Sequence, residues 1–192
     1  MSLTARLQRL HAEGHGREIE LRDEAGLAGT ELRPAAVLCA VTERARPGFL
    51  LIHRPSNMRS HPGQVAFPGG KIDPGEDPVE AALREAHEEL GINSRDVTVI
   101  GISDTYCTGS GYAITPVIAV VPPDLELSPS PTEVAAWFEA PVDFVFDPGN
   151  HTQQSAHWQG QERRYIEIMW QEHRIWGVTA AIIANLSKRI AW

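Results

Sequence analysis

The chain has 192 residues, 42% hydrophobic and 22% charged, with a formal net charge of −8; that length supports one domain with its own core, and the acidic balance argues against a protein that grips duplex DNA by its phosphates, so no nucleic-acid partner is expected. No apolar run approaches the roughly 20 residues of a membrane span, so no membrane partner is expected, and the opening MSLTARLQRLHAEG lacks the apolar centre of a secretory signal. The two cysteines, Cys39 and Cys107, make neither a disulfide framework nor a structural zinc site, which points to a reduced, cytoplasmic setting.

A helix is predicted around residues 4–12, followed by a polar, glycine-containing connection up to residue 33. Residues 35–42 (AAVLCAVT) and 49–54 (FLLIHR) are apolar runs of strand length, with a turn at Arg46, Pro47 and Gly48 between them. Residues 64–67 form a short predicted strand that runs into Pro68, Gly69 and Gly70. A helix follows over Pro78–Leu90, then strands over 97–103 and 114–121, joined through the glycine-containing loop 108–111. Residues 122–131 are a proline-rich loop. The remainder reads as a strand at 134–138, a short helix at 142–146, a strand at 164–171 and a closing helix at 179–190 with Ile182, Ile183, Leu186 and Ile190 inward. Mixed strands with few, separated helices predict an α/β sandwich, and no linker forces a second domain beyond an N-terminal helical arm, residues 1–33.

The helix at 78–90 carries the chemistry. Asp77 is placed as N-cap, Pro78 takes the first helical position and Glu80 completes a capping box, while Gly91 ends the helix. Val79, Leu83, Ala86 and Leu90 predict an apolar stripe for the core. Glu85, Glu88 and Glu89 share another face, roughly 135° away. An ordinary solvated acidic face with an Arg84–Glu88 pair is one reading. A hard-cation site is the other, because Mg²⁺ takes oxygen ligands from carboxylates and substrate phosphates. The glycine pair in front favours the second, since backbone there is free to approach a ligand closely.

The stretch GGKIDPGEDPVEAALREAHEELGI resembles the Nudix hydrolase box, G-x5-E-x7-R-E-U-x-E-E-x-G-U, with Gly70, Glu76, Arg84, Glu85, Ala86, Glu88, Glu89, Gly91 and Ile92 at the required spacing. The preceding run from Leu50 to Asp77 looks like the signature of the coenzyme A pyrophosphatases within that superfamily. Arg54, Arg59, Gly63, Val65, Phe67, Pro68, Gly69, Gly70 and Asp73 match it. Ile52, His53, Pro55, Met58 and Glu76 depart from it, and Pro55 removes a backbone amide and a hydroxyl contact. IWGVTAAII, residues 175–183, also looks like this subfamily.

The resemblance implies a Nudix-type α/β/α sandwich over residues 34–192, with a mixed sheet and the box helix packed on it. It implies Mg²⁺-dependent hydrolysis, with Mn²⁺ as a substitute, of the pyrophosphate bond of coenzyme A or a derivative. The products would be 3′,5′-ADP and 4′-phosphopantetheine or its acyl form. Glu85, Glu89, Glu88 and the Gly70 carbonyl are the implied metal ligands. Arg84 would orient a box glutamate, with Glu76 doing the same from the loop side. Glu88 and Glu133, the latter in PTEVAAWF, are the candidate bases, and the implied catalytic set is Glu88, Glu89, Arg84 and Glu133. Arg54, Arg59, His61, Gln64 and Gly69 are the candidate substrate contacts, with Arg59 favoured for phosphate because arginine binds it bidentately. A Nudix hydrolase of another substrate, such as ADP-ribose or a dinucleotide, is the alternative enzyme. A non-catalytic nucleotide sensor runs against the intact box. Family behaviour implies a homodimer. The tryptophans Trp137, Trp158, Trp170, Trp176 and Trp192 are expected to pack cores or interfaces rather than stack on a base.

Overall fold

A computed structural model of the protein describes residues 1–27, 31–57, 62–158 and 161–192. Strand β1 (Arg33–Thr42) divides the molecule. Ala36, Leu38 and Ala40 face one side of it, Cys39 and Val41 the other, and all five are buried. That is why the segment reads as a continuous apolar run rather than an alternating one.

β1 runs parallel to β7 (Tyr112–Val121) along its whole length. On its other edge it pairs antiparallel with β2 (Gly48–His53) near Val41 and with β4 (Gly69–Lys71) at residues 35–37. β2 is flanked by β3 (Val65–Ala66) and β8 (Ala136–Pro141), and β7 carries β5 (Thr98–Ile102) and β6 (Tyr106–Cys107). Together these make one mixed eight-stranded sheet. Helix α2 (Pro78–Leu90) covers one face. The other face is covered by α1 (Leu3–His15), α3 (Val142–Val145) and α4 (Val178–Arg189), and by an antiparallel sheet of β9 (Thr152–Trp158), β10 (Gln161–Trp170) and β11 (His173–Trp176). The expected α/β sandwich with a mixed sheet is the architecture found. No helix of the described residues is long and apolar enough to cross a membrane.

The predicted strand at 134–138 lies two to three residues later, at Ala136–Pro141. Val134 is buried, but it belongs to the loop before the strand. β4, β6, β9 and β11 have no predicted counterpart. β4 and β6 are three and two residues long, and β9 (TQQSAHW) lacks apolar alternation, so pairing with neighbours makes these strands, not local pattern.

The N-terminal arm is tied to the same core. Ser2 caps α1, and Leu7 and Leu10 enter the cluster on the helical face of the sheet. Gly14 meets α4 so closely that a Cβ there would lie 1.6 Å from the Arg189 carbonyl oxygen. Arg189, only 8% exposed, donates to both Asp104 carboxylate oxygens at 2.8 Å and to the Gly14 carbonyl at 2.9 Å. The Arg189 guanidinium in turn holds the Asp104 carboxyl below its usual 3.8. A lowered folded value means that this stability is present above the unfolded value and is lost as pH falls through the folded one. Asp104→Asn, which leaves the Arg189 cation uncompensated, should cost about 2 kcal/mol at neutral pH in urea denaturation. The wild-type advantage should shrink in acid.

Candidate active site

Helix α2 is capped as its sequence requires. The Asp77 carboxylate accepts the Val79 and Glu80 N–H groups at 2.8 and 2.9 Å, and Glu80 accepts the Asp77 N–H at 2.9 Å. Gly91 closes the helix at φ 72°, a left-handed conformation that suits glycine. The side that meets the sheet is rotated from the expected stripe. Ala81, Ala82, Ala86 and Leu90 are fully buried, while Val79 and Leu83 lie at the rim, half-buried. Alanines on this side let the helix approach β1 and β4 closely.

That rotation separates the three carboxylates, which do not share one solvated face. Glu89 is 4% exposed, and the side chains of Glu85 and Glu88 are 18% and 51% exposed. Glu89 is accommodated because β4 is a glycine pair. The Gly69 N–H donates to Glu89 Oε2 at 2.9 Å, and Gly69 has φ 156° with its absent Cβ 2.3 Å from the Ala36 carbonyl oxygen. A Cβ on Gly70 would lie 2.4 Å from Glu85 Oε1, so Glu85 occupies space that only glycine leaves.

Arg84 joins the loop to the helix. Nε and Nη2 donate to the two Glu76 oxygens at 2.7 and 3.0 Å, Nη1 donates to Glu85 at 2.9 Å, and Nη2 also reaches the Lys71 carbonyl at 3.0 Å. Glu88 is a weaker partner at 3.5 Å. Glu76, the loop glutamate of the box, is therefore the main partner of Arg84. The Lys71 carbonyl contact had no signal in the sequence, because a main-chain oxygen carries no residue identity.

Burial sets the protonation of the inner pair. It pushes Glu85 above its ordinary value and Glu89 up to about 8. At Glu89 the Gly69 amide and the Arg54 charge act in the opposite sense, and the Glu85 and Glu133 charges add to the rise. Arg54 and Glu133 are thus both within electrostatic reach of Glu89. By contrast, the Arg84 hydrogen bond holds Glu76 below its ordinary value.

Arg54 continues β2 beyond its last paired residue. Its N–H donates to the Gln64 carbonyl at 2.9 Å, and its Nε is buried with no hydrogen-bond partner among the described residues. Its neighbour His53 turns to the opposite face and pairs with His173 at 2.9 Å. Gln64 is half-buried beside β3. Arg59 and His61 lie outside the described residues.

The structure therefore brings together Gly69, Gly70, Glu85, Glu89, Arg84, Arg54 and Glu133, with Glu88 further out. Among the described residues no three acidic, histidine or cysteine side chains converge into a ready cage. The donors still fit a hard divalent cation. Glu85 and Glu89 are one turn apart, all oxygen, and raised in pKa by burial. Such a cation takes a few carboxylates and fills its shell from water and phosphate oxygens. Carboxylates within electrostatic reach of an arginine whose Nε has no partner among the described residues suit a metal-bound diphosphate.

The chain matches the NUDIX domain family over residues 32–159. It is 41% identical over 159 residues to the Nudix hydrolase NudL of Enterobacter sp. (strain 638), covering 82% of this chain and 83% of that protein. A NudL from Citrobacter koseri is 41% identical over 160 residues, with the same coverage of 82% and 83%. Among solved structures, the Nudix hydrolase RenU from M. smegmatis superposes with a TM-score of 0.53 at 28% identity, covering 62% of this chain and 76% of that one. The Ap4A hydrolase of C. elegans shares the fold with a TM-score of 0.50 at 24% identity, covering 57% of this chain and 80% of that one.

Proposed function

The chain belongs to the NUDIX domain family, and on that premise we propose that it hydrolyses the pyrophosphate bond of coenzyme A or a derivative. The coarser activity, cleavage of a pyrophosphate bond in a nucleoside diphosphate derivative, follows from the family. The coenzyme A reading rests on the Leu50 to Asp77 resemblance. The observation that carries it is Arg54, a residue of that run, whose buried Nε has no hydrogen-bond partner among the described residues and whose charge reaches Glu89. A phosphate oxygen is the natural acceptor for such a donor.

In this reading Glu85, Glu89, Glu88 and the Gly70 carbonyl hold Mg²⁺, or Mn²⁺ in its place. A cation held there would supply charge neutralisation for the diphosphate and a more acidic water. Arg84 keeps the Glu85 carboxylate against Gly70. Water attacks one phosphorus and the bridging P–O bond breaks, giving 3′,5′-ADP and 4′-phosphopantetheine. Glu133 or Glu88 takes the proton of the attacking water. Arg54 binds a phosphate oxygen, and Arg59, His61, Gln64 and Gly69 complete the substrate contacts.

One assay tests this. The protein is incubated with Mg²⁺ and, separately, coenzyme A, acetyl-CoA, ADP-ribose, NADH, diadenosine polyphosphates and 8-oxo-dGTP, and products are identified. Release of 4′-phosphopantetheine from coenzyme A well above the other reactions is expected. Strong cleavage of another compound with coenzyme A inert would overturn the coenzyme A reading. Removing the cation with EDTA should abolish turnover, and adding Mg²⁺ or Mn²⁺ back should restore it; activity that survives EDTA would sink the metal assignment.

A further inference from the structure

Trp137 departs from the expectation that the tryptophans pack. It is 42% exposed, whereas its strand neighbours Phe138 and Ala140, on the other face of the sheet, are 8% and 0% exposed. Trp170 tilts against Phe144 at 4.8 Å, Trp176 against Tyr165 at 5.6 Å, and Trp192 lies under Arg6 at 4.1 Å. Among the described residues no ring or cation lies on Trp137.

The register of β8 on β2 says where the indole stands. Trp137 is directly opposite Ile52, so the two share a face of the sheet. Ile52 belongs to the cluster packed under α2, which makes this the face of the glutamates. Phe138 points the other way, onto the stacked His173 ring at 3.6 Å. Arg54 is two residues beyond Ile52 and on the same face. It is therefore the diagonal neighbour of Trp137, at the ~7–8 Å separation that long and aromatic side chains bridge. The residues just before β8 are Glu133, within electrostatic reach of Glu89, and Val134, buried against the α2 cluster. Among the described residues, an aromatic face with no ring or cation on it thus stands beside an arginine donor with no partner, at the edge of the carboxylate site.

We infer that Trp137 is a specificity-determining residue whose indole stacks on the nucleobase of the substrate. This rests on the reading that the substrate is a nucleoside diphosphate derivative. The diphosphate lies between Arg54 and the carboxylates, and the nucleoside half extends over β2 and β8 to Trp137. A base of any identity presents a π-face, so the platform selects for a nucleotide half and leaves the choice of base to other contacts. The other half of the substrate extends away from β8.

The test is a binding titration with Mg²⁺, using ADP and inorganic pyrophosphate as probes on the wild type, Trp137→Ala and Trp137→Phe. Loss of a base-stacking ring weakens binding about tenfold. Trp137→Ala should weaken ADP by that factor and leave pyrophosphate unchanged. Trp137→Phe should keep most of the ADP affinity, and both variants should melt near the wild type because the indole is exposed. An unchanged ADP affinity in Trp137→Ala, or an equal loss for both probes, overturns the assignment. So does a wild type that binds ADP no better than pyrophosphate. If the wild type binds neither probe and cleaves no nucleoside diphosphate derivative, the functional reading falls, and Trp137 with it. If coenzyme A is inert but another adenosine diphosphate derivative is cleaved, only the coenzyme A reading falls, and the ADP comparison still decides the role of Trp137.

Discussion

Glu89→Gln should lower kcat about a thousandfold and leave the melting temperature near the wild type. The two halves of this expectation have different causes. Glu89 is buried, and its Oε2 accepts the Gly69 N–H at 2.9 Å. A glutamine amide oxygen can accept the same bond, so the loop that presents Gly69 and Gly70 keeps its anchor. Burial already favours the neutral form of Glu89, so a neutral amide of the same shape leaves the fold almost unaffected. What the variant lacks is the negative charge of a proposed metal ligand. Metal affinity should fall with kcat, and excess Mn²⁺ should recover only part of the rate. Kinetics and calorimetric metal titration check this together. Wild-type turnover in a folded Glu89→Gln protein would remove Glu89 from the site.

Much of the site is readable in the sequence because its residues are close along the chain. Glycine pair, cap, arginine and glutamates all fall between Gly69 and Gly91, and their spacing specifies a loop and helix before any tertiary contact is known. Two features of that stretch are not readable. The side of α2 that meets the sheet follows Ala81, Ala82 and Ala86 rather than the larger Val79 and Leu83. The reason is close approach to β4, a strand of two glycines and a lysine that has no β-propensity of its own. Because α2 rotates toward β4, Glu89 is drawn inward, and no helical-wheel argument contains that fact. The placement of Trp137 on the glutamate face is equally hidden. It depends on a β2–β8 register set between residues more than eighty apart in sequence. The N-terminal arm illustrates the same limit. Gly14 and Arg189 meet across nearly the whole chain, and neither carries a local pattern that announces the other.

Arg84→Lys should lower kcat about a hundredfold, with a smaller change in KM, although it conserves charge. The guanidinium serves three acceptors on two segments at once. It makes a two-toothed contact with Glu76, a single bond to Glu85 and a bond to the Lys71 carbonyl. A lysine ammonium is a point donor on a flexible stem and cannot span Glu76 and Glu85 with one geometry. Glu85 sits where a Cβ on Gly70 would be, so its carboxylate has little room to find another orientation without that bond. The released Glu85 would swing away from the position its proposed metal role requires. Arg84→Met should be worse in both rate and stability, because it leaves Glu76 and Glu85 without their cation. If charge alone mattered, Lys would rescue Met almost fully. A lysine variant that stays far below wild type in kcat, yet melts close to it, would place the fork geometry of Arg84 in the chemistry and not merely in the fold.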